Sequence, residues 1–507
     1  MFLLNGIIRK LLKSRYTRLI QNAQKPAESQ DFILKYLVKR AAETEFGKKY
    51  GFNAIRSYTD FKQRIPLHDY DDFRSYTIRV KQGERNVLWP GETRWFAKSS
   101  GTTSDKSKFI PVTSESLRMN HYRGGKDLYS VYFHHHPGSR IFSGKCLSIG
   151  GSHRINNFSN RSRYGDISAV MVQNLPWWAE MNTVPSKKIA LMDDWEAKID
   201  AIIKTTLRQN ITGITGVPSW TLVLLKKILE MAGKKIIPEI WPNLELFVHG
   251  AVSFTPYREQ FAGIIPSAGM HYLETYNASE GFFAIQDDLS DRGMLLLTDH
   301  GIFYEFIPID AAGKENPEVC LPQDVALNKN YAIVISTNGG LWRYKIGDTV
   351  KFTSLNPLRV TVSGRTRNFI NAFGEELIID NAEKAISSAA QKTGSAIRDF
   401  TAAPVYMNAT TTGAHEWLIE FDKPPQDIEK FASVLDTALM EVNSDYEAKR
   451  FKNLALRPPV VHNLPVGTFE IWLKKKGKLG GQHKVPRLFN DRRYVEELLA
   501  MVREKNI

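Results

Sequence analysis

The chain has 507 residues, of which 42% are apolar and 24% charged, and these are the proportions of a folded globular protein rather than a disordered one. Its length predicts two domains, or one large domain with an appendage. The formal net charge of +14 favours polyanionic partners such as nucleotides, nucleic acid or a membrane surface, although a basic balance is also common in soluble proteins without such partners.

The two cysteines and the first 20 residues bear on the compartment. Cys146 and Cys320 lie far apart, without the paired spacing of a zinc site or a disulfide framework, so we expect a reducing, cytoplasmic location. The N-terminal residues carry apolar side chains at helical spacing, broken by Asn5 and basic residues, so we do not expect them to be a signal peptide. They predict an amphipathic helix that covers a core, with binding to a membrane surface as the alternative. No run approaches the ~20 apolar residues that span a membrane.

The first third of the chain predicts helices and then a hairpin. Residues 4–24 and 28–46 have helical spacing of apolar side chains, and a less regular stretch continues to Pro90. Residues 94–113 form two alternating apolar and polar runs around a loop of hydroxyl groups and lysines. A helix over residues 114–136 follows.

The remaining sequence predicts a layered core and a smaller terminal unit. Helical and strand patterns alternate between residues 167 and 265, which is typical of an α/β core, and residues 270–350 contain successive strand-like runs separated by turns. Beyond residue 367 the pattern becomes that of a small α+β unit. Its predicted elements are a helix (381–394), a hairpin (404–421), a long helix (425–451), a strand (467–475) and a terminal helix (491–506).

These patterns predict an α/β fold with two domains. Residues 1–367 would form a large layered N-terminal domain of β-sheets and helices that includes a β-rich subdomain. Residues 368–507 would form a small α+β C-terminal domain.

The loop of the first hairpin has the composition of a phosphate-binding site. Its hydroxyl and backbone N–H groups, followed by lysines, would supply several donors and the positive charge that pyrophosphate needs. The spacing is not that of a Walker loop, and a Ser/Thr/Gly cluster is also typical of a plain hairpin turn. The residues concerned are Ser99, Ser100, Gly101, Thr102, Thr103, Ser104, Lys106 and Lys108.

Two further motifs place carboxylates at strand ends. Glu280 follows Tyr276 and Ser279 after a strand-like run, and such a carboxylate suits Mg²⁺, which prefers oxygen ligands and shares them with nucleotide phosphates. Asp348 follows another run, where its carboxylate would accept the two hydroxyls of a ribose, and Arg365 lies near enough in sequence to join it. Taken singly, each motif is equally well interpreted as a turn.

A glycine-flanked basic loop lies near the C-terminus, at residues 480–487. Its Lys484 could move into a site and stabilise negative charge that develops on a carboxylate and an α-phosphate. The alternative is an exposed basic loop without a ligand.

The order of these motifs is more informative than any one of them. The succession SSGTT, YNASEG, YKIGD, GRTR and GGQHKVPR resembles the Gretchen Hagen family of auxin-responsive acyl acid amido synthetases, and in particular a bacterial-type member. That family lies within the adenylate-forming enzymes, with acyl-CoA synthetases and firefly luciferase. The likeness runs from about residue 30 to the terminal helix, and it includes GVPSW at 216–220 and HGA at 249–251.

The resemblance implies a luciferase-like adenylate-forming fold and a role for each motif. ATP and Mg²⁺ would be bound between the two domains, with Ser99, Ser100, Gly101, Thr102, Thr103 and Lys108 at the phosphates. Tyr276 would lie against adenine, Ser279 near the nucleotide, and Glu280 on Mg²⁺. Asp348 and Arg365 would bind the ribose, and Lys484 would be the catalytic lysine that the C-terminal domain carries in.

Two positions depart from the family pattern. Asp105 stands where the plant enzymes have a second glycine, which adds negative charge beside the phosphates. Lys345 replaces an arginine of the YRxGD pattern, while the aspartate is retained.

The expected activity is a two-step ligation that forms a carbon–nitrogen bond. A carboxylic acid would be adenylated by ATP, and an amine, expected to be an amino acid, would then displace AMP. The acid, the amine and the oligomeric state stay open, with a monomer as one option. The alternatives are an acyl-CoA ligase, and a non-catalytic basic protein that retains the fold, although no nucleic-acid-binding module is present. A further hypothesis is metal binding at His134, His135 and His136. Their consecutive spacing argues against it, because adjacent side chains point in different directions.

Overall fold

The N-terminal part of the chain is helical, as its apolar spacing predicts. The computed structural model describes residues 2–99, 108–149, 155–192, 195–252, 254–312, 314, 316–365, 369–408, 411–453, 455–476 and 487–504. The first helices are α1 (Phe2–Ala23), α2 (Pro26–Ala41), α3 (Glu45–Lys49), α4 (Tyr58–Arg64) and α5 (Tyr70–Lys81). Side chains at three- and four-residue spacing on α2, such as Ile33 and Leu37, are buried against the rest of the protein.

The predicted hairpin and the helix after it are both present. Strands β1 (Trp95–Ser99) and β2 (Lys108–Val112) pair antiparallel, with Ser99 opposite Lys108. Thr113 then caps the helix that follows by accepting a hydrogen bond from the N–H of Ser116. This helix consists of α6 (Ser114–Ser116), a π-helical segment (Leu117–His121) and α7 (Tyr122–His135).

A large mixed sheet forms the centre of the protein. Among the described residues it has eleven strands, and its parallel part is built from strands that alternate with helices. The elements of this part are β3 (Lys145–Ile149), β4 (Asn156–Asn157), β5 (Arg163–Gly165), α8 (Ile167–Gln173), α9 (Trp177–Asn182), β6 (Thr183–Val184), α10 (Lys187–Ala190), α11 (Trp195–Thr206), β7 (Ile211–Gly216), α12 (Pro218–Ala232), β8 (Leu246–Gly250), α13 (Arg258–Ile264) and β9 (His271–Ala278).

The antiparallel part of the sheet confirms the strand-rich region that the sequence predicts. Its strands are β10 (Gly281–Ile285), β11 (Met294–Leu296), β12 (Ile302–Pro308), β13 (Asn330–Thr337), β14 (Tyr344–Leu355) and β15 (Leu358–Arg365). The strand order across the whole sheet is β12-β13-β14-β15-β11-β10-β9-β8-β7-β3-β6, while β2-β1-β5-β4 form a separate small sheet. Short 3-10 turns lie at Phe52–Ala54, Ile141–Ser143, Ile237–Glu239, Thr255–Tyr257, Ile309–Ala311, Pro322–Asp324 and Phe451–Asn453.

The C-terminal unit has the predicted α+β character. Its elements are β16 (Phe369–Ile370), β17 (Leu377–Ile378), α14 (Ile379–Thr393), β18 (Ala396–Val405), β19 (Ala414–Lys423), α15 (Ile428–Val442), α16 (Ser444–Arg450), β20 (Val460–Leu464), α17 (Thr468–Lys475) and α18 (Arg493–Glu504). Strand β19 lies at the centre of a three-stranded sheet, antiparallel to β18 and parallel to β20. The α/β fold class with a large sheet domain and a smaller C-terminal unit is therefore confirmed.

Two predicted elements of the C-terminal unit differ from the structure. The long helix predicted over residues 425–451 is divided into α15 and α16 at Asn443, whose side chain caps α16. The sequence predicts a strand over residues 467–475, but the chain forms helix α17 there. Glu420 on β19 caps its start by accepting hydrogen bonds from the N–H groups of Gly467 (3.0 Å) and Phe469 (2.5 Å). Phe469 and Trp472, three residues apart, are then buried in one apolar cluster with side chains of α18. Both the cap and the buried face come from residues distant in sequence.

The C-terminal unit shares a hydrophobic core with the parallel part of the sheet. Apolar side chains from β3 to β8 and from β16 to β19 form one buried cluster. Hydrogen bonds join the same parts, because the Tyr257 hydroxyl donates to the Ala372 carbonyl at 2.6 Å and the Ser219 hydroxyl donates to the Phe373 carbonyl at 3.1 Å. The predicted division between residues 367 and 368 falls in a stretch outside the described residues and stays a prediction.

A buried ion pair fastens the N-terminal helices to the antiparallel strands. The guanidinium of Arg343, 5% exposed, donates to both oxygens of Glu305, which is fully buried, at 2.8 and 2.9 Å. The Arg343 guanidinium also donates to the carbonyl of Ile65 at 2.8 Å, and the Tyr58 hydroxyl donates to Glu305 at 2.8 Å. Arg343 therefore has a structural role within the motif that ends in Asp348.

Replacing Arg343 with methionine is expected to destabilise the fold by about 3–5 kcal/mol, because it leaves the Glu305 charge buried without compensation. Urea or guanidinium denaturation of the two proteins measures this difference. The double variant Arg343→Met/Glu305→Met is the control and should recover most of the lost free energy. An Arg343→Met protein as stable as the wild type would contradict the structural role.

Candidate active site

The carboxyl ends of four parallel strands meet at one edge of the large sheet. Strands β3, β7, β8 and β9 are consecutive neighbours in parallel register, and they end at Ile149, Gly216, Gly250 and Ala278. In open α/β sheets, ligands bind outside this edge. The sequence motifs at residues 216–220, 249–251 and 276–281 all lie there.

In the HGA motif, Gly250 and His249 both pack closely against neighbouring residues. A Cβ atom at Gly250 would lie 2.4 Å from the carbonyl oxygen of Thr275, so only glycine allows β8 and β9 to approach this closely. Beside it, the buried ring of His249 stacks on Phe254 at 4.3 Å between ring centroids. Burial, helped by the positive charge of Arg258, lowers the pKa of His249 to about 3. His249 is therefore neutral at physiological pH and acts in packing.

Tyr276 and Asp348 are brought together by strands that are distant in the sheet. The Tyr276 hydroxyl donates a hydrogen bond to Asp348 Oδ2 at 2.7 Å, and both side chains are buried. The ring of Tyr276 packs against Phe283, with 4.8 Å between ring centroids. In the register of β14 and β15, Asp348 lies directly opposite Arg365. Three of the predicted ribose and adenine residues thus occupy one place in the fold.

The predicted Ser279 and Glu280 form the turn between β9 and β10, where Ala278 pairs with Gly281. Burial raises the pKa of the nearby Tyr70 phenol, and the negative charge of Glu280 adds to this rise.

The ammonium group of Lys108 lies between two tyrosines. It donates to the Tyr344 hydroxyl at 3.2 Å and is 5.8 Å from the ring centroid of Tyr70, with only 6% of the residue exposed. Since Tyr344 begins the strand that carries Asp348, Lys108 links the end of the hydroxyl-rich loop to the aspartate. Its predicted contact with phosphate stays a prediction.

Several predicted site residues lie outside the described residues, and the structure describes the chain on either side of them. The loop residues Ser100, Gly101, Thr102, Thr103 and Asp105 lie between the paired ends of β1 and β2, and Lys484 lies before the described Arg487. The carbonyl of Arg487 accepts a hydrogen bond from the N–H of Ala402 at 2.8 Å, and the N–H of Phe489 donates to the Ala402 carbonyl at 3.1 Å. The basic loop thus ends along the edge of β18.

The three consecutive histidines have three different partners. His134 stacks on Tyr16 at 3.8 Å between ring centroids, His135 hydrogen-bonds the Asp287 carbonyl, and His136 stacks on His271 at 3.6 Å. Within the described ranges, no group of three or more His, Cys, Asp or Glu side chains is arranged to hold a metal ion. These histidines contribute packing at the end of α7.

Sequence reasoning missed a group of buried charges where α16 meets β1. Glu375 is fully buried, with Oε1 2.8 Å from His415 Nε2 and Oε2 accepting a hydrogen bond from the N–H of Phe373 at 2.7 Å. Lys98, on β1, donates to the Ser444 hydroxyl at 3.4 Å. Lys449, on α16, is only 7% exposed. The sequence of α16 is typical of a solvent-exposed charged helix, so no local sequence pattern predicts that these residues are buried.

A small cavity lies between β3, α11 and α12. Its volume is about 20 Å³, and its lining includes Ser148, Lys198, Ile199, Trp220 and Leu224. That volume has room for roughly one water molecule.

The overall fold is shared with solved ligases. A structure of GH3.15 acyl acid amido synthetase superposes with a TM-score of 0.61 at 17% identity and covers 96% of each chain. A 2-hydroxyisobutyryl-CoA ligase structure superposes with a TM-score of 0.56 at 13% identity, covering 94% of this chain and 92% of its own. The fold is therefore that of the adenylate-forming ligases, as the sequence resemblance implies.

Family comparisons define the chain more closely. Residues 15–270 match the model of the GH3 family N-terminal domain, residues 295–365 the GH3 family central domain and residues 380–493 the GH3 family C-terminal domain. The chain belongs to the GH3 family, which confirms the resemblance to Gretchen Hagen proteins. Indole-3-acetic acid-amido synthetase GH3.3 of Arabidopsis thaliana is 23% identical, over 90% of this chain and 88% of its own. None of the described helices is long and apolar enough to cross a membrane.

Proposed function

We propose that this chain is an ATP-dependent acyl acid amido synthetase. It adenylates a carboxylic acid and then transfers the acyl group to an amine, with an amino acid as the expected acceptor. Membership of the GH3 family over nearly the whole chain supports this class of ligase. The structural observation that carries the proposal is the buried Tyr276–Asp348 pair at the carboxyl edge of the sheet, opposite Arg365.

The nucleoside of ATP fits the chemistry of this pair. The Tyr276 hydroxyl donates to one carboxylate oxygen of Asp348, and a carboxylate can accept several hydrogen bonds, so Asp348 would also accept those of the two ribose hydroxyls. Arg365, opposite Asp348, would donate to the same sugar. The ring of Tyr276 would contact adenine, and Ser279 in the following turn would lie near the nucleotide.

The triphosphate would lie over the loop that joins β1 and β2. Ser99, Ser100, Gly101, Thr102 and Thr103 would donate hydroxyl and backbone N–H groups to its oxygens. Lys108 would contribute positive charge from the end of that loop.

Glu280 would hold Mg²⁺ together with phosphate oxygens of the nucleotide. A single protein carboxylate suits this ion, which retains several waters and takes other ligands from the substrate. When bound, Mg²⁺ neutralises phosphate charge and polarises the α-phosphoryl group. Glu280 lies in the turn directly after β9, and β9 is the strand that carries Tyr276.

In the first step a carboxylate oxygen of the acid attacks the α-phosphorus of ATP. The new bond joins that oxygen to phosphorus, and the bond to the bridging oxygen breaks as pyrophosphate leaves with the electron pair. Negative charge accumulates between two anions, so the loop donors and Lys484 would supply the electrostatic stabilisation.

In the second step the amine nitrogen attacks the acyl carbonyl carbon. A carbon–nitrogen bond forms, the bond between that carbon and the phosphate oxygen breaks, and AMP leaves with the electron pair. A nitrogen that enters as an ammonium group loses two protons overall. The segment near Arg367, which lies outside the described residues, would permit the C-terminal domain (368–507) to move relative to residues 1–367 between the two steps.

An acyl-CoA ligase is the second candidate, because a CoA ligase shares the fold. It would perform the same first step with a thiol as the acceptor. Supplying CoA and amino acids separately to the enzyme with an activated acid decides between the two. We place either activity in the cytoplasm, on the basis of the two unpaired cysteines.

The variant Asp348→Ala is expected to raise the Kd for ATP by about 10- to 100-fold, since it removes charged hydrogen bonds worth about 1.5–3 kcal/mol. Calorimetric titration with ATP measures the change. Asp31→Ala, at an exposed position on α2, is the control and should bind ATP normally. An unchanged ATP affinity in folded Asp348→Ala protein would remove the ribose role.

The variant Lys484→Ala is expected to slow acid-dependent exchange of pyrophosphate into ATP by about 10²–10³-fold, because it removes a charge that acts in the transition state. The Kd for ATP should change less than threefold. Exchange of labelled pyrophosphate measures the rate, and Lys474→Ala, exposed on α17, is the matched control. Near-normal exchange by Lys484→Ala would show that this lysine is not catalytic.

A further inference from the structure

The ammonium group of Lys449 lies at the contact between the C-terminal unit and the sheet domain. It sits over the ring of Trp220, 4.7 Å from the centroid, at the start of α12. A Cβ atom at Gly374 would lie 3.4 Å from Lys449 Cε and 3.7 Å from Nζ, so the side chain runs along the backbone of the 371–376 turn. Gly374 has a φ of +88°, a conformation that itself favours glycine. The backbone here is shaped around the lysine.

This ammonium group is buried without a close anion. Only 7% of Lys449 is exposed, and no carboxylate oxygen of the described residues lies within 4.0 Å of Nζ. The buried Glu375 does not serve this purpose, because His415 and the N–H of Phe373 occupy its two oxygens. Burial lowers the pKa of Lys449, and the charges of Asp445, Glu375, Asp166 and Glu376 oppose that effect from a greater distance. A buried cation of this kind costs free energy unless something binds it.

Asp166 contributes an acceptor beside β1, the strand that contacts the start of α16. It follows β5, which runs parallel to β1 with Gly165 opposite Ala97, two residues before Ser99. Its Oδ1 accepts hydrogen bonds from the N–H of Ala169 at 2.7 Å and the Ser168 hydroxyl at 2.6 Å. Its Oδ2 is buried and accepts no hydrogen bond from the residues that the structure describes. One orphan oxygen therefore lies beside β1, the strand that Lys98 connects to the helix of Lys449.

We propose that Lys449 and Asp166 bind the amino acid acceptor, with Lys449 binding its carboxylate and Asp166 its amino group. This assignment rests on the proposed function. A free α-amino acid carries both charges within one small molecule, so it satisfies the buried cation and the orphan oxygen together. An amine without a carboxylate satisfies only one of them.

The position suits the second step of the reaction. Lys98 on β1 contacts Ser444 at the start of α16, so the helix that carries Lys449 lies against the strand leading into the phosphate loop. An amino acid held here would approach an acyl group from the side of the C-terminal unit. Lys449 and Asp166 are therefore positioning residues for the acceptor and are not needed for adenylation.

The simpler explanation is that Lys449 only balances the surrounding acids. In that case its removal would lower the stability of the fold and slow both half-reactions together. If Lys449 binds the acceptor, its removal should slow acyl transfer and leave adenylation unchanged. The loss should also be larger for an acceptor that carries a carboxylate than for one that does not.

The test uses the full chain and the variant Lys449→Met, which retains the length of the side chain without its charge. The acceptor is the amino acid that the wild type conjugates best from an equimolar mixture of the twenty, compared with its primary amide. Acid-dependent pyrophosphate exchange should stay within threefold of the wild type. The KM for the amino acid should rise at least 30-fold, and the preference of the wild type for the amino acid over its amide should disappear.

Three further variants control the result. Lys449→Arg should retain most of the preference, and Lys430→Met, at an exposed position on α15, should behave as the wild type. Asp166→Asn keeps the helix-capping oxygen and should raise the KM for both acceptors, because both carry the amino group.

The outcomes separate this inference from the proposed function. Absence of pyrophosphate exchange by the wild type across a broad panel of acids would overturn the proposed function itself. Normal exchange with an unchanged amino acid KM in Lys449→Met would overturn only the acceptor site. An equal loss of exchange and conjugation in Lys449→Met and Lys449→Arg, with a lowered melting temperature, would likewise assign the lysine a structural role.

Discussion

The hydrogen bond between Tyr276 and Asp348 depends on the curvature of the large sheet. Their strands, β9 and β14, are separated by three others, so in a flat sheet they would lie about 19 Å apart. A contact of 2.7 Å between their side chains requires the antiparallel part of the sheet to coil back towards the parallel part. The candidate nucleotide site exists because the sheet closes in this way.

Two separate charge systems lie at the edge of this sheet. One is the set of carboxylates at the ends of β9 and β14, Glu280 and Asp348, which suits a nucleotide and its metal ion. The other is the contact between α16 and β1, near which Lys449 and Asp166 lie. A ligase that joins three substrates needs distinct positions for them, and the two systems are carried by different parts of the chain. This division matches a reaction in which adenylation precedes acyl transfer.

Local patterns were sufficient to predict much of the fold. Alternation predicted the β1–β2 hairpin, and apolar spacing predicted α2, α12 and α18, because each of these elements buries one regular face. The segment 467–475 was misread because its helix depends on a cap from Glu420 and on burial against α18, neither of which is local. Motif order, with the family resemblance, identified Tyr276 and Asp348, which the fold then brings into contact. It did not indicate that Lys108 points between Tyr70 and Tyr344, and it gave no sign of Lys449, whose burial is decided by the packing of the C-terminal unit.

The central claim is that the acid is activated as an acyl-adenylate, and oxygen labelling tests it most directly. The wild-type enzyme is supplied with ATP, an amine and an acid that it accepts as a substrate, labelled with ¹⁸O in both carboxylate oxygens. The products are analysed by mass spectrometry. If the acid attacks the α-phosphorus and the amine then attacks the carbonyl carbon, one labelled oxygen appears in AMP and one remains in the amide. Label in inorganic phosphate, or AMP without label, would contradict the account.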